Sequence, residues 1–254
     1  MLGLFDSGLG GLTVLQRLHE KLPKHDILFF ADQRHVPYGE KSPAELLELL
    51  RANTAFLNSR GVDAIVMACN TSCATAARAG WPGSRAPIVD LIDSAAIAVE
   101  SGGFKRIGVI ATSATAATRA YTQKIQARAP GTRVVEVAAP ALVPLVEAGK
   151  LEGAEPRAAV EAVCAQLPGD LDAVILACTH YPLLDAHFAD VLGGGVTRID
   201  PAVVQAERAA ALAAAEGFAE GSGSIVCITS GDAKRFRDAV IATLGPLPEL
   251  SFEG

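Results

Sequence analysis

The feature that most restricts the fold is an internal echo. Asp63-Ala-Ile-Val-Met-Ala-Cys69-Asn70-Thr71 and Asp172-Ala-Val-Ile-Leu-Ala-Cys178-Thr179-His180 stand 109 positions apart. Each is a short, uninterrupted apolar run closed by a cysteine, the pattern of a strand buried on both faces of a parallel sheet. Parallel strands end at a carboxyl edge, where doubly wound α/β proteins place their ligands. Two related halves therefore aim two thiols at one place, and facing thiols suit acid-base chemistry on both sides of one carbon.

Two more segments recur in the same order. Leu2-Gly-Leu-Phe-Asp-Ser7 echoes Ile107-Gly-Val-Ile-Ala-Thr112 at an offset of 105, and Ile92-Asp-Ser-Ala95 echoes Ile199-Asp-Pro-Ala202 at 107. Strand-like runs at 2–5, 27–30, 64–68, 88–91, 107–110, 134–137, 173–177 and 224–229 alternate with helix-like stretches. That alternation predicts βα units and a largely parallel sheet. The expected fold is α/β: two similar domains with mainly parallel sheets, related by a pseudo-twofold axis, with the active site in the cleft between them. The tail after Pro201 has no counterpart between the halves. It is expected to return to the first domain, giving domains of 1–97 plus 206–254 and 98–205.

Half of the 254 residues are apolar and only 5% aromatic, which suits aliphatic helix-on-sheet layers. A net charge of -6 and the lack of long basic runs argue against nucleic acid as a partner. No apolar stretch reaches membrane-spanning length, and the first residues lack the pattern of a signal peptide. A soluble, cytoplasmic protein with no membrane partner is expected. The five cysteines are an odd number without an export signal, so reduced thiols are expected rather than a disulfide framework. Cys69 and Cys73 form CxxxC with no second pair at zinc spacing, which gives a metal site or a redox motif little support.

Cys69 and Cys178 each stand between an apolar run and a predicted helix start, near Ala74 in one half and Pro182 in the other. A helix N-terminus makes a thiol more acidic. A lone cysteine in such a run reads as a small buried hydrophobe, but an equivalent pair points to chemistry. Cys73, Cys164 and Cys227 lack the placement and read as core. His180, two residues past Cys178, is either a proton-handling partner or a helix cap. Asp6, closing the first strand, is likewise a partner for a thiol or an N-cap. The glycine run from Gly8 to Gly11 is a tight turn or an anion cradle, and it fails the dinucleotide pattern because Thr13 stands where glycine is required. The polar loop from Asp32 to Ser42 contains a Tyr38-Gly39 turn that offers backbone donors to a ligand.

At these residues the chain resembles the glutamate racemases, cofactor-independent enzymes of the aspartate/glutamate racemase superfamily. The family's FDSGxGGLTVL stands at Phe5 to Leu15, its xVPYGxKS at His35 to Ser42 and its ACNT at Ala68 to Thr71. Its VPLVExG stands at Val143 to Gly149, and its CTHYPLL at Cys178 to Leu184. Departures at Gln33-Arg34, Ile92 to Ser94 and Ala138 to Ala141 leave both cysteine motifs intact.

The resemblance implies interconversion of L- and D-glutamate by two bases. Cys69 would act on the D-enantiomer and Cys178 on the L-enantiomer, assisted by Asp6 and His180 respectively. It implies auxiliary acids at Asp32 and Glu147. It further implies substrate contacts at Asp6, Ser7, Tyr38, Gly39, Asn70, Thr71, Thr115, Thr179 and His180. No cofactor and no metal are expected, a homodimer is, and the product is D-glutamate for peptidoglycan. Three other readings stand beside it: a superfamily relative acting on aspartate, hydantoins or maleate; a noncatalytic two-domain ligand binder; and a redox protein using Cys69 and Cys73. The last two leave the equivalence of positions 69 and 178 unexplained.

Overall fold

The computed structural model describes residues 1–245 and 250–253. The first half lays down strands β1 (Leu2–Asp6), β2 (Ile27–Ala31), β3 (Ala64–Met67) and β4 (Ile88–Asp90). Between and after them run helices α1 (Gly11–Lys21), α2 (Pro43–Ser59), α3 (Asn70–Ala79) and α4 (Leu91–Gly102). The second half has strands β5 (Arg106–Ala111), β6 (Arg133–Ala138), β7 (Ala173–Ala177) and β8 (Thr197–Ile199). Its helices are α5 (Ser113–Thr118), α6 (Ala120–Arg128), α7 (Leu142–Glu147), α8 (Ala154–Cys164), α9 (Asp185–Leu192) and α10 (Pro201–Glu216). The tail adds β9 (Ile225–Thr229), α11 (Ala233–Leu244) and β10 (Leu250–Glu253).

Two sheets result, with orders β10-β9-β2-β1-β3-β4 and β6-β5-β7-β8, and every recorded pairing is parallel. The duplication is therefore topological: β2-β1-β3-β4 and β6-β5-β7-β8 are one arrangement built twice. Leu2 pairs with Ala64 as Ile107 pairs with Ala173, which reproduces both offsets read from the sequence. The equivalence extends to packing. A Cβ on Gly3 would meet Val62 Cγ1 at 3.0 Å, and one on the equivalent Gly108 would meet Leu171 Cδ1 at 2.8 Å. Both glycines admit an aliphatic side chain flush against the sheet.

The third echo is realigned. Ile65 pairs with Ile88 and Val174 with Arg198, so Asp90 is equivalent to Asp200. Both cap the following helix: Asp90 accepts from Asp93 N at 2.8 Å and Asp200 from Ala202 N at 3.0 Å. The Ile-Asp dipeptide at 92 had suggested another register, but the capping role fixes this one.

The central strands β1, β2, β3 and β7 are buried throughout, which explains their unbroken apolar runs. Helix α2 starts on a capping box, Ser42 with Glu45, and places Leu46, Leu50 and Leu57 in the core. Truncating fully buried Leu50 to alanine removes about 2–5 kcal/mol. One apolar cluster runs through both halves, from Phe5 and Cys69 through Ala95 and Val99 of α4 to Ile107 and Tyr121. Helix α4 of the first half packs on both α6 and α10 of the second, so the halves share core as well as chain. Among the described residues no helix is long and apolar enough to cross a membrane.

Candidate active site

Both carboxyl edges open onto one cleft. Strand β1 ends at Asp6, β3 is followed by Cys69, β5 by Thr112 and β7 by Cys178, and all four side chains reach the cleft wall. Cys69 and Cys178 are 3% and 6% exposed, so each thiol is withdrawn from bulk water yet open to the cleft. Cys73, Cys164 and Cys227 are buried away from it.

Helix α3 begins at Asn70, four residues before the expected start, and Cys69 is its N-cap residue. Asn70 and Thr71 carry no apolar period, so the helix start was hidden in the sequence. On the other side Cys178 is followed by a 3₁₀ turn, Tyr181–Leu184, that leads into α9. His180 stands at the head of that turn without a side-chain capping bond, so its ring is free for other partners.

Those partners occupy both ring nitrogens. Nδ1 lies 3.6 Å from Cys178 Sγ, and Nε2 lies 2.7 Å from Glu147 Oε1 at the end of α7. Burial works against charge on the imidazole, but the hydrogen bonds and charges of Cys178 and Glu147 outweigh it and push its pKa well above the usual value. Burial likewise opposes charge on Glu147, yet bonding to His180 holds its carboxyl below the ordinary range. The ring therefore stands between the Cys178 sulfur and the Glu147 carboxylate.

Cys69 has the opposite setting. Burial, reinforced by the charge of Asp6, pushes its thiol up to about 12, against hydrogen bonds from Ser72 and Ser7. Its Sγ lies 3.6 Å from Ser7 Oγ. Asp6 itself is fully buried, and burial raises its pKa despite the His180 charge and three loop amides. Its Oδ2 accepts from Gly11 N at 2.7 Å and Gly8 N at 3.3 Å, and from Thr179 Oγ1 of the other half at 3.3 Å. The glycine turn thus cradles the chain's own carboxyl group. At Gly10 the halves approach closely: a Cβ there would fall 2.4 Å from Thr179 Oγ1.

The repeat makes the asymmetry explicit. Under the strand register Asp6 corresponds to Ala111 and His180 to Thr71. Asp6 beside Cys69 and His180 beside Cys178 therefore have no ionisable counterpart in the other half.

Ser7, Tyr38, Gly39, Asn70, Thr71 and Thr179 all line the cleft with Asp6 and His180. Three expected residues stand one layer back. Thr115 Oγ1 lies 3.0 Å from Thr112 Oγ1 and 3.3 Å from Thr71 Oγ1. Asp32 accepts from Tyr38 Oη at 2.5 Å and from Ser230 Oγ at 2.6 Å, and so holds the Tyr38 turn from behind. Glu147 reaches the cleft through His180. Thr112 lines the cleft and was missed, although the repeat pairs it with Ser7. Among the described residues no group of three or more His, Cys, Asp or Glu is arranged to hold a metal ion.

A family model described as Asp/Glu/hydantoin racemase matches residues 10–209. The chain belongs to this racemase family. It is 41% identical over 252 residues to a glutamate racemase of Gloeobacter violaceus, covering 98% of this chain and 94% of that one. A glutamate racemase isoform of Bacillus anthracis superposes with a TM-score of 0.92 at 29% identity, covering 100% and 96%. The glutamate racemase of Francisella tularensis, solved in complex with D-glutamate, gives 0.88 at 27% identity, covering 100% and 97%. The motif resemblance and the expected α/β fold hold. Within the racemase family's segment lie both thiols and His180, whereas Asp6 and Ser7 immediately precede it.

Proposed function

We propose that this racemase-family protein interconverts L- and D-glutamate without a cofactor, with Cys69 and Cys178 as the two bases. The observation that carries the reading is the pair of equivalent thiols on one cleft, set in opposite electrostatic surroundings. In the L to D direction the Cys178 thiolate takes the α-proton, the α-carbon becomes planar, and the Cys69 thiol delivers its proton to the opposite face. The reverse direction exchanges the roles. His180 steadies the charge on Cys178, and Asp6, whose raised pKa suits it to carry a proton, serves Cys69.

An amino-acid α-proton is far less acidic than a thiol, so stabilisation of the carbanion must come from fixed donors in a closed site. Ser7, Tyr38, Gly39, Asn70, Thr71 and Thr179 are the residues proposed to hold the substrate, with Thr115 supporting Thr71. Asp32 and Glu147 act through Tyr38 and His180. The boundaries 1–97 plus 206–254 and 98–205 belong to the proposal, supported by the pairing of β9 with β2. So do a cytoplasmic location, supply of D-glutamate to peptidoglycan, and a homodimer, which light scattering tests.

The deciding experiment incubates the purified protein in D₂O with each glutamate enantiomer, no cofactor added, and aspartate in parallel. Racemisation with α-deuteration of glutamate is expected. Inert glutamate beside racemised aspartate would replace the substrate assignment.

A further inference from the structure

Tyr121 lies on α6 of the second half, is fully buried, and donates its hydroxyl to Asn70 Oδ1 on α3 of the first half. Neither motif nor repeat singles it out. Asn70 directly follows Cys69 and lines the cleft, and among the described residues its Nδ2 makes no hydrogen bond within the protein.

The two ends of an amide are told apart by their partners. Burial pushes the Tyr121 phenol well above its usual pKa, so the group stays a proton donor. Asn70 Oδ1 is its acceptor, and among the described residues it has no other. Turning the amide over would leave the buried O–H without an acceptor, at a cost of about 1–3 kcal/mol. Tyr121 therefore selects one amide orientation and turns the N–H groups of Asn70 toward the cleft.

We propose that Tyr121 is a positioning residue for substrate binding: from the opposite half it locks the Asn70 side chain so that its amide N–H groups meet a carboxylate of the substrate. The proposal rests on the reading of the cleft as a glutamate site. The bond crosses between the halves, so the donor is fully set only when they are together. A wrongly turned amide would present its oxygen to a carboxylate, and repulsion there would weaken binding. Tyr121 touches no reacting atom, so its effect falls on binding more than on turnover.

The test is a double-mutant cycle on the full chain, reading KM and kcat for D-glutamate. Tyr121→Phe keeps the ring and its packing and removes the donor. Its KM is expected to rise about tenfold with kcat within about twofold, the scale of one lost hydrogen bond. In the Asn70→Ala background the same substitution is expected to change KM less than about twofold, because coupled residues are not additive. KM does not depend on the fraction of folded enzyme, so a partly unfolded variant still reads out. An unchanged KM in Tyr121→Phe, or an equal rise with and without Asn70, overturns the proposal and leaves the glutamate reading standing. Absence of racemisation by the unaltered protein overturns both.

Discussion

His180 bridges the Cys178 sulfur and the Glu147 carboxylate, with 3.6 Å from Nδ1 to Sγ and 2.7 Å from Nε2 to Oε1. Opposite ring nitrogens serve the two contacts, so one protonated ring satisfies both. Glu147→Gln removes a charge that raises the His180 pKa, and the alkaline limb of the pH profile of kcat/KM should move to lower pH. At pH values beyond the limb, activity should fall about tenfold for each unit moved. An unmoved limb would disconnect Glu147 from His180.

The same pair makes stability depend on pH. The His180 pKa is raised in the fold, so its contribution is full below about 6.5 and is lost as pH rises through the folded value. The Glu147 pKa is lowered, so its contribution is full above about 4.3 and is lost as pH falls through the folded value. The melting-temperature advantage of the native chain over Glu147→Gln should peak between these limits and shrink on either side. A constant difference across pH would contradict the ion pair.

Cys69→Ser and Cys178→Ser should each lower racemisation by roughly 10²–10⁴-fold, the range for losing a positioned acid or base. Melting temperatures should stay near the native value, since serine fits the same space. Full activity in either variant would end the two-thiol scheme.

Asp6→Asn removes the charge that, after burial, holds the Cys69 thiol up near 12. Cys69 should then be alkylated by iodoacetamide at lower pH, measured in the Cys178→Ser background. Unchanged alkylation would show that burial alone sets this thiol.

Gly10→Ala isolates the close approach of the halves. Gly10 has φ -56°, so alanine meets no backbone strain, and the whole penalty is the contact with Thr179 and His180. Overpacking of this kind costs about 1–3 kcal/mol, and a loop pushed off His180 should lose activity beyond the loss of stability. Native activity would mean that the halves stand further apart in solution.

The strands were legible because buried parallel strands write unbroken apolar runs, and the two thiols because the halves repeat. Cys69, Cys178, Asp6 and His180 could be proposed from position in the chain alone. What escaped has no local signature. The start of α3 at Asn70 carries no apolar period, the equivalence of Asp90 with Asp200 depends on which residue caps a helix, and β10 is a short edge strand. The contacts of Ser230 with Asp32 and of Tyr121 with Asn70 join positions 198 and 51 residues apart. Such pairs become visible only when the chain is folded.

The replacement of Asp6 by Ala111 and of His180 by Thr71 across the duplication has a kinetic consequence. Mirror-image amino acids have equal free energy in water, so their equilibrium constant is one and kcat/KM is the same in both directions of any racemase. Unlike neighbours around the two sulfurs cannot change that ratio. They act instead on which enantiomer saturates the enzyme first and how fast each bound form turns over. Because kcat/KM is shared by the two directions, any difference between the two limiting rates must be matched by the same ratio of KM values.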